Sequence, residues 1–359
     1  MRVALALARR GLGNVWPNPA VGCVLVRDGR IVGRGWTQPG GRPHAETEAL
    51  KRAGDLARGA DAYVTLEPCS HRGETPPCTD ALISAGVKRV VIGTIDPDPR
   101  VSGSGMEKLS GEGIDIASGV LEAEAKRVNE GFLTREELSR PYFTLKTATT
   151  ADGKIATHTK DSKWITGADA RGFAHLLRAT HDAILVGSGT AVADDPQLDC
   201  RLPGIFHDRS PRIVIDGRLR LPVTSKLVQS ANVQPVWLIT LNSHPKDAFQ
   251  EYSARRVTVI GVNADADGHP DLHTWADELA RRRLTRVLVE GGGELAGSLI
   301  ANDLVDLIAW FKAPKIVGDD GIPAISAFGT QNMKDAARFS PVSSRSFGDD
   351  RLDILERTR

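Results

Sequence analysis

Short runs in which apolar and polar residues alternate give way to stretches with apolar positions three and four apart, and this exchange recurs along the chain. In "AVGCVLVRDGRIVGRGW" (20–36) two alternating runs meet at Asp28-Gly29, a dipeptide suited to the positive φ angles of a tight hairpin turn. The pattern then predicts a helix from about His44 to Ala53, a strand "AYVTLEP" (62–68), a helix "CTDALISAG" (78–86) closed by Gly86, and a strand "RVVIGTIDP" (89–97). A further helix and strand lead to "LEAEAKRVNEGFLTREEL" (121–138), a charged amphipathic helix broken by Ser139-Arg140-Pro141. Past the break the alternation resumes. Strands are expected at "YFTLKTATT", "DAILVGSGT", "RIVIDG", "PVWLIT", "RVTVIGV", "RVLVEGGG" and "DLIAWFKAPKIVG", with helices beginning near Asp169, Asp271 and Glu294. Both halves read as α/β without internal repeats. At 359 residues two domains are expected, 1–140 and 141–359.

Composition adds exclusions. The chain is 41% hydrophobic and 25% charged, enough for a core in each half. Its net charge of +1, with both signs interspersed, gives no electrostatic reason to expect nucleic acid or an anionic membrane as partner. "VALALARR" has too short an apolar core for a signal peptide, and no run approaches transmembrane length. A cytoplasmic protein is expected, in which thiols stay reduced, so four cysteines argue against a disulfide framework.

Two of those cysteines, with a histidine and a glutamate, acquire a chemical reading. In "PHAETEAL" (43–50), His44 and Glu46 stand two apart at a helix start, and residues so spaced share a site only beyond the helix tip. The positive end of the dipole there disfavours a protonated imidazole. Cys78 opens another helix, where the same field favours thiolate, and Cys69 follows a strand, with eight residues between the two cysteines. His44, Cys69 and Cys78 make three ligands for Zn²⁺ and leave the fourth position to water, with Glu46 free to move its proton. A histidine-x-glutamate at one helix tip and a cysteine at another is the arrangement of zinc nucleobase deaminases. Alone, each piece is ordinary: such helix starts are common, and paired cysteines are usually buried apolar residues. The conjunction carries the reading. Cys23 and Cys200 have no partner pattern and are read as structural. "RVLVEGGGELAGSLI" is a strand, three glycines and a helix, a shape that fits either a tight turn or a phosphate cradle. It is not the G-x-G-x-x-G fingerprint, and no acidic residue ends a following strand about twenty positions on.

The segments "PNPAVGCVLV", "GGRPHAETEAL" and "YVTLEPCSHRGETPPCTDALISAGVKRVVIGTIDPDPRVSGSG" closely resemble the deaminase half of the bifunctional riboflavin-biosynthesis deaminase/reductases. The gap "SHRGETPP" between the two cysteines is that family's variant of the zinc motif. "KTATTADGKIA", "DSKWITG", "HDAILVGSGTAVADDPQLDCR" and "VLVEGGGELAGSL" extend the resemblance through the second half. The family carries a few residues ahead of the first helix, whereas Met1 here falls almost inside it, which bears on packing and not on chemistry.

The resemblance implies a cytidine-deaminase-like α/β/α sandwich followed by a dihydrofolate-reductase-like α/β domain. It implies removal of the 2-amino group of 2,5-diamino-6-(ribosylamino)pyrimidin-4-one 5′-phosphate, with Glu46 as proton carrier. NADPH-dependent reduction of the ribosyl chain to ribityl follows. Asn18 and His71 would touch the first substrate. For NADPH it implies Ala148, Trp164, Thr190 and Asp194 on the nicotinamide side, and Gly292, Gly293, Glu294, Leu295, Ala296, Gly297 and Ser298 around the pyrophosphate. Ser162, Arg178, Leu198, Arg201 and Glu290 correspond to positions for the second substrate, with Lys146 a further contact. Arg178 and Arg201 suit a phosphate monoester as forks. Arg218 and Arg220, after "RIVIDG", favour NADPH over NADH. A homo-oligomer, dimer or tetramer, is expected.

Overall fold

The structure is a computed structural model that describes every residue except 73–75, 99–101, 206–208 and 359. The chain divides into two compact units, Met1–Arg140 and Pro141–Arg359. In chain order the first contains α1 (Arg2–Ala8), β1 (Gly22–Arg27), β2 (Arg30–Trp36), α2 (Ala45–Ala53), β3 (Asp61–Leu66), α3 (Cys78–Ala85), β4 (Arg89–Thr94), α4 (Ser104–Gly111), β5 (Asp115–Ala117) and α5 (Glu122–Leu138).

Its five strands run in the order β2-β1-β3-β4-β5. β1 pairs antiparallel with β2 and β3, whereas β3, β4 and β5 are parallel. The expected hairpin turn forms, with φ of 50° at Asp28 and 71° at Gly29. Alternation sorts the faces. Cys23 and Leu25 of β1 pack with Ala45 and Ala49 of α2 and Leu82 of α3, while Val24 packs with Ala4 and Leu7 of α1. A second cluster joins α1 to α5 through Leu5, Ala8, Ala125 and Val128. Helices thus cover both faces, giving the expected sandwich. β2 approaches α2 closely because it carries Gly33 and Gly35: a Cβ on Gly35 would lie 2.1 Å from Ala45 O. That approach sets the tip of α2, with His44 and Glu46, down on the sheet. Gly86 closes α3 in the left-handed region, φ 68°, as its position predicted.

The second unit contains β6 (Tyr142–Thr149), β7 (Lys154–Ala156), α6 (Ala168–Ala179), β8 (Ala183–Gly187), α7 (Ser188–Asp194), β9 (Arg212–Ile215), α8 (Lys226–Gln229), β10 (Val236–Leu241), α9 (Gln250–Ala254) and β11 (Thr258–Val262). It continues with α10 (Leu272–Arg281), β12 (Arg286–Val289), α11 (Gly293–Ala301), β13 (Leu307–Lys312), β14 (Ile322–Pro323), β15 (Phe339–Phe347) and β16 (Asp350–Arg357). The main sheet has the order β11-β10-β9-β8-β12-β6-β13-β16-β15, and β14 and β7 form a separate pair. The strands from β11 to β13 are parallel, and the β15–β16 hairpin adds antiparallel. α6 packs on β13 and β16 through Ala170, Phe311 and Leu352. Phe143 of β6 meets the fully buried Trp275 of α10 edge-on, with ring centroids 5.7 Å apart.

Three sequence expectations change here. The strand at "DAILVGSGT" ends at Gly187, because Ser188, Gly189 and Thr190 form the first turn of α7. β13 ends at Lys312, short of the expected Gly318, since Pro314 has no amide to continue a ladder. The C-terminal hairpin was not anticipated: the interior of β15 is exposed throughout and lacks an apolar face to announce it.

Candidate active sites

In the first unit three elements converge. His44 is the residue before α2, Cys69 follows β3, and Cys78 is the first residue of α3. His44 Nδ1 lies 3.3 Å from Cys78 Sγ and 3.8 Å from Cys69 Sγ. Among the described residues these three ligand atoms lie within 4.8 Å of one another. One imidazole nitrogen and two sulfurs at that separation fit the donor set and size of a Zn²⁺ site.

The tip of α3 holds Cys69 in place. Thr79 N and Oγ1 donate to Cys69 O at 3.2 and 3.3 Å, and Cys78 N donates to Cys69 Sγ at 3.4 Å. Hydrogen bonding from Cys78 pulls the Cys69 thiol down to about 4, while the Cys78 thiol, sharing its proton with Cys69, is pushed up. Without a cation, the two thiols thus share one proton between them, and the Cys78 amide adds a smaller pull on Cys69. His44 is also pushed up, first by its hydrogen bond with Cys69. A divalent cation among the three would displace these protons.

Glu46, in the first turn of α2, is 3% exposed. Burial raises its carboxyl to about 7, with His44 opposing and Cys69 adding to the rise. Its side chain hydrogen-bonds Cys78. A carboxyl that binds and releases a proton near neutrality, beside the ligand cluster, is fit to carry one. Asn18, expected on the substrate, places Nδ2 3.4 Å from His44 Nε2 and donates to Gly41 O at 3.0 Å. It orients the imidazole, as the outer partner of a metal-bound histidine does. His71 is exposed.

Sequence reasoning gave Glu67 no role. Its buried carboxylate accepts from Gly103 N, Gly105 N and Met106 N at 3.1, 3.0 and 3.4 Å, which ties the strand end before Cys69 to the start of α4. The available signal was a charged residue between an apolar strand and Pro68.

In the second unit Lys146 of β6, Arg178 of α6 and Glu290, just past β12, come together. Lys146 and Ala148 lie on one face of β6, and Lys146 Nζ is 3.8 Å from Glu290 Oε2. Arg178 grips Glu290 with Nε to Oε1 at 2.6 Å and Nη2 to Oε2 at 3.0 Å, and its Nη1 donates to Asp199 O at 2.8 Å. Burial alone would raise Glu290, but Arg178 and Lys146 outweigh it and hold the carboxyl at about 2. Arg178, expected as a phosphate fork, thus has its fork filled by protein. Arg201 keeps its own exposed. Leu198 is buried in the core with Val214 and Leu227, so its side chain is not a contact surface. Ser162 is half-buried.

Gly292 caps α11, and a Cβ there would meet only Thr190 Oγ1, at 3.6 Å. Thr190 and the glycine turn are therefore neighbours, and nothing else stands within 4 Å of that side of Gly292, at the start of α11. Gly293 and Gly297 serve another purpose: a Cβ would fall 2.5 Å from Pro323 O or 2.7 Å from Ser326 O. They admit the 323–326 segment against the helix. Glu294 and Ser298 are exposed, Ala296 is buried and Leu295 half-buried. Asp194 is exposed at the end of α7. The Trp164 indole, 64% exposed, lies under the Arg171 guanidinium at 4.4 Å, and its carbonyl accepts from Lys315 Nζ at 2.6 Å. Arg220 Nη2 donates to Ser188 Oγ at 2.7 Å, beside the start of α7.

A zinc-type ligand cluster in one α/β/α unit and a glycine cradle in a second parallel-sheet unit define a two-site enzyme. Residues 1–94 match the cytidine and deoxycytidylate deaminase zinc-binding region, and residues 141–352 match the RibD C-terminal domain. The chain is 38% identical to the riboflavin biosynthesis protein RibD of Aquifex aeolicus, covering 99% of this chain and 97% of that protein. It is 40% identical to the Escherichia coli K12 protein of the same name, covering 98% and 96%. Acinetobacter baumannii RibD, form 1, superposes with a TM-score of 0.89 at 34% identity, over 100% and 98% of the two chains. For the diaminohydroxyphosphoribosylaminopyrimidine deaminase/5-amino-6-(5-phosphoribosylamino)uracil reductase of Thermotoga maritima the TM-score is 0.87 at 36% identity, over 100% and 97%. The chain belongs to the RibD family of bifunctional riboflavin-biosynthesis enzymes: it is a zinc-dependent deaminase and an NADPH-dependent reductase of small phosphorylated pyrimidines.

Proposed function

We propose that His44, Cys69 and Cys78 hold the zinc of the deaminase, that Glu46 is its proton carrier, and that the open space at Gly292 receives the pyrophosphate of NADPH. The observation that carries the first part is the N,S,S cluster with a buried carboxyl beside it. Zinc, when bound, supplies a Lewis acid that acidifies water at neutral pH. Glu46 would take the proton released from water and deliver it to the ring nitrogen, then take the proton of the added hydroxyl and deliver it to the departing amine, while Asn18 steadies His44. His71 is left as a substrate contact at the rim.

For reduction, NADPH supplies the hydride. Glu290 holds Lys146 and Arg178 in place, and Arg201 offers an exposed fork for the substrate's phosphate. Trp164, Thr190 and Ala148 line the nicotinamide side. Arg220, held at Ser188, supports the preference for NADPH. We further assign the enzyme to the cytoplasm as a homo-oligomer, which sedimentation velocity checks. No helix among the described residues is long and apolar enough to cross a membrane.

Glu46→Gln is expected to bind zinc at wild-type stoichiometry by anomalous scattering, yet release ammonia about 10²–10⁴ times more slowly. Loss of the metal in this variant would make Glu46 a ligand instead.

A further inference from the structure

α6 presents His175 and Arg178, one turn apart, to the chain returning from α7, and three consecutive residues of that chain are tied to them. Arg178 Nη1 donates to Asp199 O at 2.8 Å, the Cys200 thiol donates to His175 O at 3.4 Å, and Arg201 N donates to His175 Nδ1 at 3.3 Å. Just upstream, Arg212 Nη1 donates to Gln197 O at 3.1 Å, and the Leu198 side chain is buried in the core. The strap 197–201 is therefore fixed at every residue. The Arg201 side chain at its end is 65% exposed, and its nearest carboxylate oxygen, on Asp199, is 3.6 Å from Nε. A rigid backbone beneath an exposed fork is how a phosphate site is pre-organised.

We propose that His175 is a positioning residue for the reduction step: by accepting the Arg201 amide at Nδ1 it holds that arginine toward the substrate's phosphate, and protonation there releases it. This rests on the reading of Arg201 as the phosphate fork. The groups facing the imidazole are Arg178 on its own helix, Asp199, Cys200 and Arg201 on the strap, and Glu290 at the end of β12. Burial first, then the two guanidiniums, lower the imidazole pKa against Asp199 and Glu290, so the ring is neutral near pH 7 and Nδ1 keeps its lone pair. A proton on Nδ1 would set donor against donor and add a third positive charge beside Arg178 and Arg201. Arg178 cannot compensate, because its own fork is on Glu290.

The test uses the full-length enzyme and the already deaminated substrate. His175→Phe keeps a ring and removes the acceptor. KM is expected to rise about ten-fold, the loss of one hydrogen bond, with kcat within about two-fold and ammonia release unchanged. His175→Asn offers an amide oxygen near the Nδ1 position at every pH. It should restore KM at pH 7.5 and remove the part of the wild-type KM increase below pH 7 that comes from the imidazole. The substrate phosphate takes a proton near pH 6 in every variant, so the difference between wild type and His175→Asn isolates His175. Calorimetric affinities for ribose 5-phosphate should follow the same order without turnover. Arg201→Gln separates the two layers. An unchanged KM in that variant would place the phosphate elsewhere and overturn both readings. A raised KM there, with wild-type KM in His175→Phe or an unaltered pH profile in His175→Asn, would overturn the role of His175 alone.

Discussion

Glu46 and Glu290 are both buried glutamates, yet their carboxyls move in opposite directions. Burial raises each, but Glu46 stands beside the Cys69 thiolate, whereas Glu290 stands between a guanidinium and an ammonium. The first is left able to exchange a proton near neutrality, and the second is a fixed anion. For Glu290 this has a consequence for stability. A carboxyl whose folded pKa is about 2, against 4.5 unfolded, stabilises the fold fully above pH 4.5 and loses that contribution as pH falls toward 2. The difference corresponds to at most about 3 kcal/mol. Glu290→Gln is therefore expected to be less stable than wild type at pH 7, partly because Arg178 loses its bidentate partner, and the gap should narrow steadily below pH 4.5. Urea unfolding of the second unit at pH 7 and pH 3 measures it. A gap that is the same at both pH values would mean that the ion pair contributes nothing beyond packing.

The turn from β12 into α11 looks uniform in sequence and is divided in the structure. Gly292 has φ −73° and an open side, so alanine there costs the fold little while its Cβ enters the space assigned to pyrophosphate. Gly292→Ala should keep the wild-type melting temperature and lower kcat/KM for NADPH about 10- to 100-fold, the range for losing one charge-assisted hydrogen bond. Gly297→Ala should do the reverse in kind: its Cβ meets Ser326 O at 2.7 Å, and about 1–3 kcal/mol of stability should go first. Equal melting temperatures for the two variants would remove this division of labour. The glycines also mark what was legible beforehand. Elements with a period and a stop signal were readable: the Asp28-Gly29 hairpin, α3 closed by Gly86, and the helix tips that bring His44 to Cys78. What depended on distant neighbours was not. Nothing in "GGGELAG" says which glycine faces residues 323–326, nothing in the arginines says that Arg178 is filled by Glu290, and β15 has no apolar face to read. The juxtaposition of His44, Cys69 and Cys78 was legible from helix starts, and the contact of a strap with a helix, as at His175 and Arg201, was not.

At the scale of the molecule, each unit has its own sheet and its own core clusters, and no proposed residue of one activity lies in the other unit. The zinc donors all precede residue 79, and the cradle and strap all follow residue 187. Removing zinc with a chelator should therefore abolish ammonia release while leaving NADPH oxidation with the deaminated substrate at its wild-type rate. The same separation predicts complementation. Glu46→Gln protein should still reduce, and Gly292→Ala protein should still deaminate, so a mixture of the two should carry the diaminopyrimidine phosphate through both steps. The first product must leave one chain and enter another, so the second step should begin after a lag that shortens as the concentration of Glu46→Gln protein rises. Ammonia and NADPH followed in one experiment distinguish the outcomes. NADPH consumption in the mixture no faster than Gly292→Ala protein supports alone, when Glu46→Gln alone reduces added intermediate, would mean that the deaminated product is not free to pass between chains. The two sites would then be coupled more tightly than two independent cores require.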